Sequence, residues 1–368
     1  MSRVAFVLNQ PTPYRNPVFR LMVNRNRFTY RFMYCTQKEP DRSWALSNEG
    51  LDVLFLGRNI LSRLSGYIHA NLDVWQELSK FKPAVVLTNG YNPTYLIAVL
   101  YCLSRRVRHI SCTDGDVEFE RDLSPVHKVI RRLVRLCTSA YVGPSDSSLE
   151  LFQSWGATPE QVFKSPLCAD NDALAVSAKA VRNYDFIFCG ALQEHKQPLF
   201  ALEVASGAAQ ILGRKVRVLF MGEGHQRQLI EQRAESLNNV EVTMAGFVQP
   251  EETPKWFGQS RILLFPSQRD AWGLVVNEAF AAEVAVVTSP FSGASREIVE
   301  NGVSGLILPL ELDAWVTESA ALLADKRRLM EMGRQGQARV KNYSYSHAAD
   351  GYENAIAHAI GERYGAVA

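Results

Sequence analysis

The chain has 368 residues, 47% of them apolar and 21% charged, which excludes both a disordered chain and one embedded in lipid. That length exceeds what one hydrophobic core serves and suits two domains. The formal charge is +2, yet residues 1–170 carry 21 Lys and Arg against 15 Asp and Glu, so this part stands near +6 and the remainder near −4.

In chain order, apolar runs at 4–8, 30–34, 53–56, 84–88, 109–113 and 140–142 read as strands. Helical patterns fall at 64–80, 93–105, 124–136 and 146–155. The opening MSRVAFVLNQ starts a strand almost at once and lacks the layout of a signal peptide. No apolar run approaches the roughly 20 residues of a membrane span, so a cytoplasmic chain is expected. Residues 165–183 carry no clear strand and read as a linker. The rhythm then restarts with strands at 186–189, 216–220, 240–243, 262–265, 285–288 and 305–308, with helices between. A final helical pattern spans 346–360 with no strand after it. Alternating strands and helices predict parallel sheets covered on both faces. The expected fold is α/β, two Rossmann-like doubly wound domains at 1–170 and 171–345 facing a central cleft. The helix of 346–368 would pack back on the first domain. Six cysteines without CxxC spacing read as buried thiols, with no zinc or redox site.

The most informative stretch is FPSQRDAWGLVVNEAFAAEVAVVTSPFSGASREI, 265–298. A buried strand ends in a polar loop holding Ser267 and Asp270. A helix starts near Gly273, and Glu278 lies about one and a half turns in. The N–H groups of Gly273, Leu274 and Val275 form an anion site at the positive end of that helix, suited to a diphosphate. Asp270 and Glu278 then flank it as acceptors for hydroxyl groups. This stretch resembles the donor-binding signature of retaining GT-B glycosyltransferases of family 4, the glycosyl transferases group 1. The resemblance implies that Asp270, where the family usually has Glu, contacts the donor sugar, and that Glu278 holds the ribose.

The segment FIFCGALQEHKQPLFAL, 186–202, is similar to the family's Gly-Arg-Leu and following Lys, the two basic groups that clamp the leaving diphosphate. Gly190, Leu192 and Lys196 are kept, and Ala191 stands where Arg is common. Lys196 therefore carries more of the charge, or His195, Arg15 or another Arg substitutes. Gly222 and Gly224 of MGEGHQRQLI form a turn that the resemblance puts near the nucleotide, and Phe247 and Val248 after Gly246 would contact the base through their main chain. The resemblance is specific over roughly residues 186–310 and general, through fold rhythm, before that.

In the first half, NQPTPYRNPVFR lacks the family's glycine pair. Tyr14 and Arg15 there, and Asn89 after the strand at 84–88, are the acceptor-binding candidates. Asp114-Gly115-Asp116 allows two readings. One carboxylate spacing could share a hard cation; in a chain with two βαβ halves, Asp114 reads instead as an acceptor-site residue or a helix cap. Lys128, Arg131, Arg132 and Arg135 follow i, i+3, i+4, i+7 and form one basic face, opposite Val126, Ile130, Leu133 and Cys137. That face is either solvated or a peripheral contact with anionic lipid on the inner face of a membrane.

The resulting expectation is a retaining, metal-independent hexosyltransferase. It would move a sugar from a nucleoside diphosphate, UDP first and GDP second, to a glycan or polyprenyl-diphosphate-linked acceptor in cell-surface polysaccharide assembly. The nucleotide sugar is a substrate, and no cofactor or nucleic acid is called for. The resemblance implies that the donor phosphate accepts the incoming hydroxyl's proton. The rivals are a non-catalytic sugar-nucleotide-binding protein and a sugar-nucleotide epimerase on the same fold. A nicotinamide-dependent oxidoreductase is disfavoured because neither half has GxGxxG after its first strand.

Overall fold

The computed structural model describes residues 1–39, 44–57, 59–61, 67–115, 117, 120 and 123–362. The chain divides into two compact units, Met1–Leu167 with Tyr345–Ala368, and Cys168–Ser344. Unit 1 begins β1 (Arg3–Leu8), α1 (Asn16–Arg25), β2 (Thr29–Tyr34), β3 (Val53–Phe55), α2 (Val74–Phe81), β4 (Val85–Asn89) and α3 (Pro93–Arg105). It continues β5 (Arg108–Cys112), α4 (Pro125–Arg135), β6 (Thr138–Gly143), α5 (Asp146–Ser154) and β7 (Val162–Lys164). These strands form one parallel sheet in the order β3-β2-β1-β4-β5-β6-β7.

Unit 2 runs α6 (Asn171–Ser177), β8 (Tyr184–Cys189), α7 (Pro198–Leu212), β9 (Val216–Met221), α8 (Arg227–Glu235), β10 (Val240–Gly246) and α9 (Thr253–Gly258). Then come β11 (Ser260–Phe265), α10 (Leu274–Ala281), β12 (Ala285–Thr288), α11 (Gly293–Glu297), β13 (Gly305–Ile307), α12 (Leu312–Ala324) and α13 (Lys326–Arg339). Its parallel sheet has the order β10-β9-β8-β11-β12-β13. Strands such as LLF of β11 and VVLT of β4 are buried without alternation, as a sheet covered on both faces requires. In each unit the strand order reverses once, between β1 and β4 and between β8 and β11. The loops leaving those strands diverge there and open a crevice at the carboxyl edge, where ligands of such sheets bind.

The last helix, α14 (Tyr345–Ile360), belongs to unit 1. Its buried Glu353 takes Arg25 at 3.0 Å, Arg27 at 3.5 Å and the Tyr30 hydroxyl at 3.3 Å, so the buried charge is paired. Tyr352 sets its ring edge against Phe6 at 5.5 Å. Gly351 lets the helix backbone rest on β7: a Cβ there would lie 2.0 Å from the Lys164 carbonyl oxygen. Gly to Ala in an open helix stabilises by about 1 kcal/mol. Here a backbone carbonyl blocks the methyl, so Gly351→Ala is expected to destabilise by about 2 kcal/mol or more, read as a lower urea midpoint.

Four elements differ from the sequence reading. The helix expected over 64–80 begins only at Val74. Residues 62–66 lie outside the described residues. Ahead of Val74, the Asn59 side chain holds Ile68 and Ala70, and the buried Asn71 donates to the Cys35 and Gly57 carbonyls, which fixes this stretch as non-helical. The expected linker at 165–183 contains α6, capped by the Asp170 carboxylate on the Ala173 N–H. With Leu174 its one buried side chain, it has too weak a stripe to register as a helix. Both α1 and the edge strand β7 also escaped the pattern.

Candidate functional site

In unit 2 the loops after β8 and β11 meet at the reversal of strand order. The Gln268 N–H donates to the His195 carbonyl at 2.8 Å, tying the loops together. Across this junction Lys196 Nζ lies 2.6 Å from Asp270 Oδ2. Both side chains are about one-fifth exposed, 18% and 21%. The other Asp270 oxygen accepts the Trp272 N–H at 3.1 Å, and the Asp270 N–H donates to the Phe291 carbonyl at 3.0 Å. The ammonium has three donors, so the contact with Asp270 leaves two for another anion. The His195 side chain is exposed overall; partial loss of solvent and then the Lys196 charge push its pKa below the ordinary value.

Gly273 caps α10 with φ 89, and its Cβ would lie 2.7 Å from the Phe265 ring, so only glycine fits. The helix receives no side-chain cap, and the N–H groups of Gly273, Leu274 and Val275 have no acceptor among the described residues. Glu278 lies on the next turn. Burial pushes its pKa up to about 7, and a hydrogen bond from the Thr253 hydroxyl opposes the shift. Trp272 is fixed from three sides. Its indole N–H donates to Asn277 Oδ1 at 2.9 Å, its ring stacks on Tyr343 at 5.7 Å, and Gly293 lies against it. The Tyr343 hydroxyl donates to Glu297 at 2.6 Å.

Of the donor-site candidates, Lys196, Asp270, Glu278 and residues 273–275 therefore share one region. Gly190, Gly222 and Gly224 pack the adjoining loops: a Cβ on Gly222 would lie 1.9 Å from the Gly190 carbonyl oxygen, and one on Gly224 2.4 Å from that of Leu192. Phe247 is half-exposed just after β10. Ser267 departs from the expectation. It is fully buried, its hydroxyl donates to the Arg269 carbonyl at 3.0 Å, and it braces the loop from beneath. The Thr253 contact and the Trp272–Tyr343 stack were missed. Only the Trp next to Gly273 hinted at either.

In unit 1 the acceptor candidates also converge at the reversal of strand order. Tyr14, Arg15, Asn89 and Asp114, with Thr113 and Tyr352, line a narrow pocket formed by the loops after β1, β4 and β5. Arg15 Nη2 donates to both Asp114 oxygens at 2.5 and 2.7 Å, and Asn89 Nδ2 reaches Oδ2 at 3.5 Å. Burial opposes the Arg15 charge, and Asp114 more than restores it, so its pKa stands above the ordinary value. Asn89 Oδ1 is buried without a partner among the described residues. Arg15 is thus bound to a carboxylate, not held out as a lone cation for phosphate. Asp116 lies outside the described residues, and among those described no group of three or more His, Cys, Asp or Glu could hold a metal.

The basic face expected on α4 is divided. Arg131 turns inward, paired with Glu120 and set 4.2 Å over the Tyr91 ring. Lys128, Arg132 and Arg135 remain exposed. Val126 and Leu133, expected inside, are 67% and 59% exposed, and Val134 is the buried residue of the helix. Arg131 wins the inner position because Glu120 and Tyr91 offer charge and a ring face together.

Two doubly wound parallel units with functional loops at each reversal of strand order, and a last helix returned to unit 1, define the GT-B glycosyltransferase fold. Residues 171–339 match the family model of glycosyl transferases group 1. The chain is 25% identical over 281 residues to a D-inositol 3-phosphate glycosyltransferase of Nocardia farcinica, covering 71% of this chain and 60% of the relative. It thus spans less than two thirds of that relative's length. HepE of Anabaena, solved in complex with UDP and glucose, superposes with a TM-score of 0.70 at 14% identity, covering 97% of this chain and 100% of that one. Sucrose-phosphate synthase of Thermosynechococcus elongatus gives 0.69 at 14%, covering 98% and 100%. No helix among the described residues is long and apolar enough to cross a membrane.

Proposed function

We propose that the chain is a retaining glycosyltransferase that takes a hexose from a nucleoside diphosphate, UDP by preference, and gives it to a glycan or lipid-linked acceptor in cell-surface polysaccharide assembly. The observation that carries the reading is Lys196 held 2.6 Å from Asp270 beside the uncapped N-terminus of α10. Unit 2 takes the donor. Lys196 and the N–H groups of residues 273–275 stabilise the charge that grows on the leaving diphosphate, which is electrostatic catalysis by groups already in place. Asp270 accepts from the sugar hydroxyls and Glu278 from the ribose. In unit 1, Asp114 and the unpartnered Asn89 oxygen accept from the hydroxyls of the acceptor. With Lys196 so placed, transfer needs no metal, and the donor phosphate takes the incoming proton.

The test incubates the full chain with UDP-, GDP- and ADP-hexoses in EDTA, with glycan, polyprenyl-diphosphate and inositol 3-phosphate acceptors. Release of nucleoside diphosphate and the anomeric configuration of the product are read by NMR. One donor turning over with retention supports the proposal. Tight nucleotide binding without turnover favours a binding protein, and an epimerised donor without acceptor favours an epimerase. Turnover restored only by magnesium removes the metal-free mechanism.

The Trp272–Tyr343 stack should bear on donor binding through the 270–273 loop. An aromatic pair contributes about 0.5–1.5 kcal/mol. Tyr343→Ala is accordingly expected to raise the donor KM about three- to tenfold with a smaller change in kcat, while Tyr343→Phe keeps the stack and stays near the parent. Equal KM values in both variants would remove this role.

A further inference from the structure

We infer that the unit 1 pocket takes a neutral, hydroxyl-bearing sugar at the reacting end of the acceptor and rejects a phosphorylated one, with the Arg15–Asp114 pair as the specificity determinant. The inference rests on the reading of this pocket as the acceptor site. Arg15 and Asp114 are the only charged residues among the described ones that line it, so its formal charges cancel. The two are not equally presented. The Arg15 side chain is 12% exposed, with its guanidinium 5.6 Å from the centre of the Tyr14 ring. The Asp114 side chain is 38% exposed. An incoming group therefore meets carboxylate oxygen before it meets the cation.

The neighbouring polar surface has the same bias. Asn89 turns its amide nitrogen toward Asp114 Oδ2 at 3.5 Å, which leaves its Oδ1 as a buried acceptor without a partner among the described residues. Each Asp114 oxygen takes one contact from Arg15 Nη2 and keeps lone pairs for more. The pocket thus offers acceptors, and a neutral sugar brings the O–H donors that match them. A phosphate monoester brings acceptor oxygens and about two negative charges at pH 7. Those oxygens would face the Asp114 carboxylate and the Asn89 oxygen, and like charges set together oppose binding. Arg15 could answer the phosphate only by giving up Asp114. The phosphates of a lipid-linked acceptor accordingly lie outside this pocket.

Calorimetric titration with inorganic phosphate tests it on the full chain, as parent, Arg15→Gln, Asp114→Asn and the double variant. The parent and Arg15→Gln should bind phosphate alike, because Asp114 already holds the cation. Asp114→Asn releases Arg15 and should bind phosphate at least about tenfold tighter than the parent, and the double variant should lose that gain. Phosphate taken up at the N-terminus of α10 is common to all four proteins and cancels. A parent that binds phosphate at least about tenfold better than Arg15→Gln overturns the inference, as does a folded Asp114→Asn protein that gains nothing. Should Asp114→Asn fail to fold with Arg15 left buried and unpaired, the parent and Arg15→Gln still decide. Transfer to methyl glucoside against glucose 6-phosphate, and to inositol against inositol 3-phosphate, gives a second readout. Within each pair the neutral acceptor should have a kcat/KM at least about tenfold higher, and a preferred phosphorylated acceptor overturns the inference. No donor consumed with any acceptor, while the phosphate titrations come out as expected, removes the transferase reading and leaves the charge preference of the pocket standing.

Discussion

Lys196→Ala is expected to lower kcat with the nucleotide-sugar donor about a hundred- to a thousandfold, the usual cost of losing one preorganised charge at a developing anion. No second cation touches Asp270 among the described contacts, and residue 191 is alanine where the related pattern has arginine, so the loss has no ready substitute. The variant also leaves Asp270 without its ammonium partner. At 21% exposure that carboxylate is partly hydrated, so the stability cost stays at about 1 kcal/mol, far below the loss in rate. Lys196→Arg keeps the charge but changes its shape, and should recover only part of the rate. The measurement is kcat and KM for the donor beside a urea unfolding curve. A Lys196→Ala enzyme turning over within a few-fold of the parent would sink the assignment of this loop as the donor site.

Glu278→Gln is expected to act in opposite directions on function and stability. Burial raises the folded-state pKa of Glu278 from the ordinary glutamate value of 4.5 to about 7. Between those two values the folded chain holds a proton that the unfolded chain has released. Stability therefore falls as pH rises through that window and levels off above pH 7. Glutamine has no proton to lose, so the variant should be more stable than the parent at pH 8, by up to about 3 kcal/mol, and nearly equal to it at pH 4. Donor affinity should fall about tenfold or more, because a neutral amide replaces a carboxylate as acceptor for ribose hydroxyls. Thermal midpoints of the two proteins across pH 4–8 check the first effect, and nucleotide titrations check the second. Parallel midpoint curves would mean that Glu278 is ionised throughout, with its carboxylate solvated or paired.

The parallel sheets were legible in the sequence because their strands are buried on both faces and therefore read as uninterrupted apolar runs, as in ILLF of β11 and VVL of β4. The 270–278 segment was legible for a local reason: a polar loop, a glycine and the first turns of a helix fix their own geometry over nine residues. The partners of these groups were not. Lys196 meets Asp270 across 74 positions, and Arg15 meets Asp114 across 99; both contacts exist only because strand order reverses between β8 and β11 and between β1 and β4. The burial of Ser267 depends likewise on the neighbouring loop that covers it. On α4 the sequence determined an amphipathic helix but not which side faces in. Its cations and its apolar residues each make a stripe, and a stripe has no inside until something packs against it. Glu120 and Tyr91 drew Arg131 inward, and Val126, Val129, Leu133 and Leu136 were left facing out.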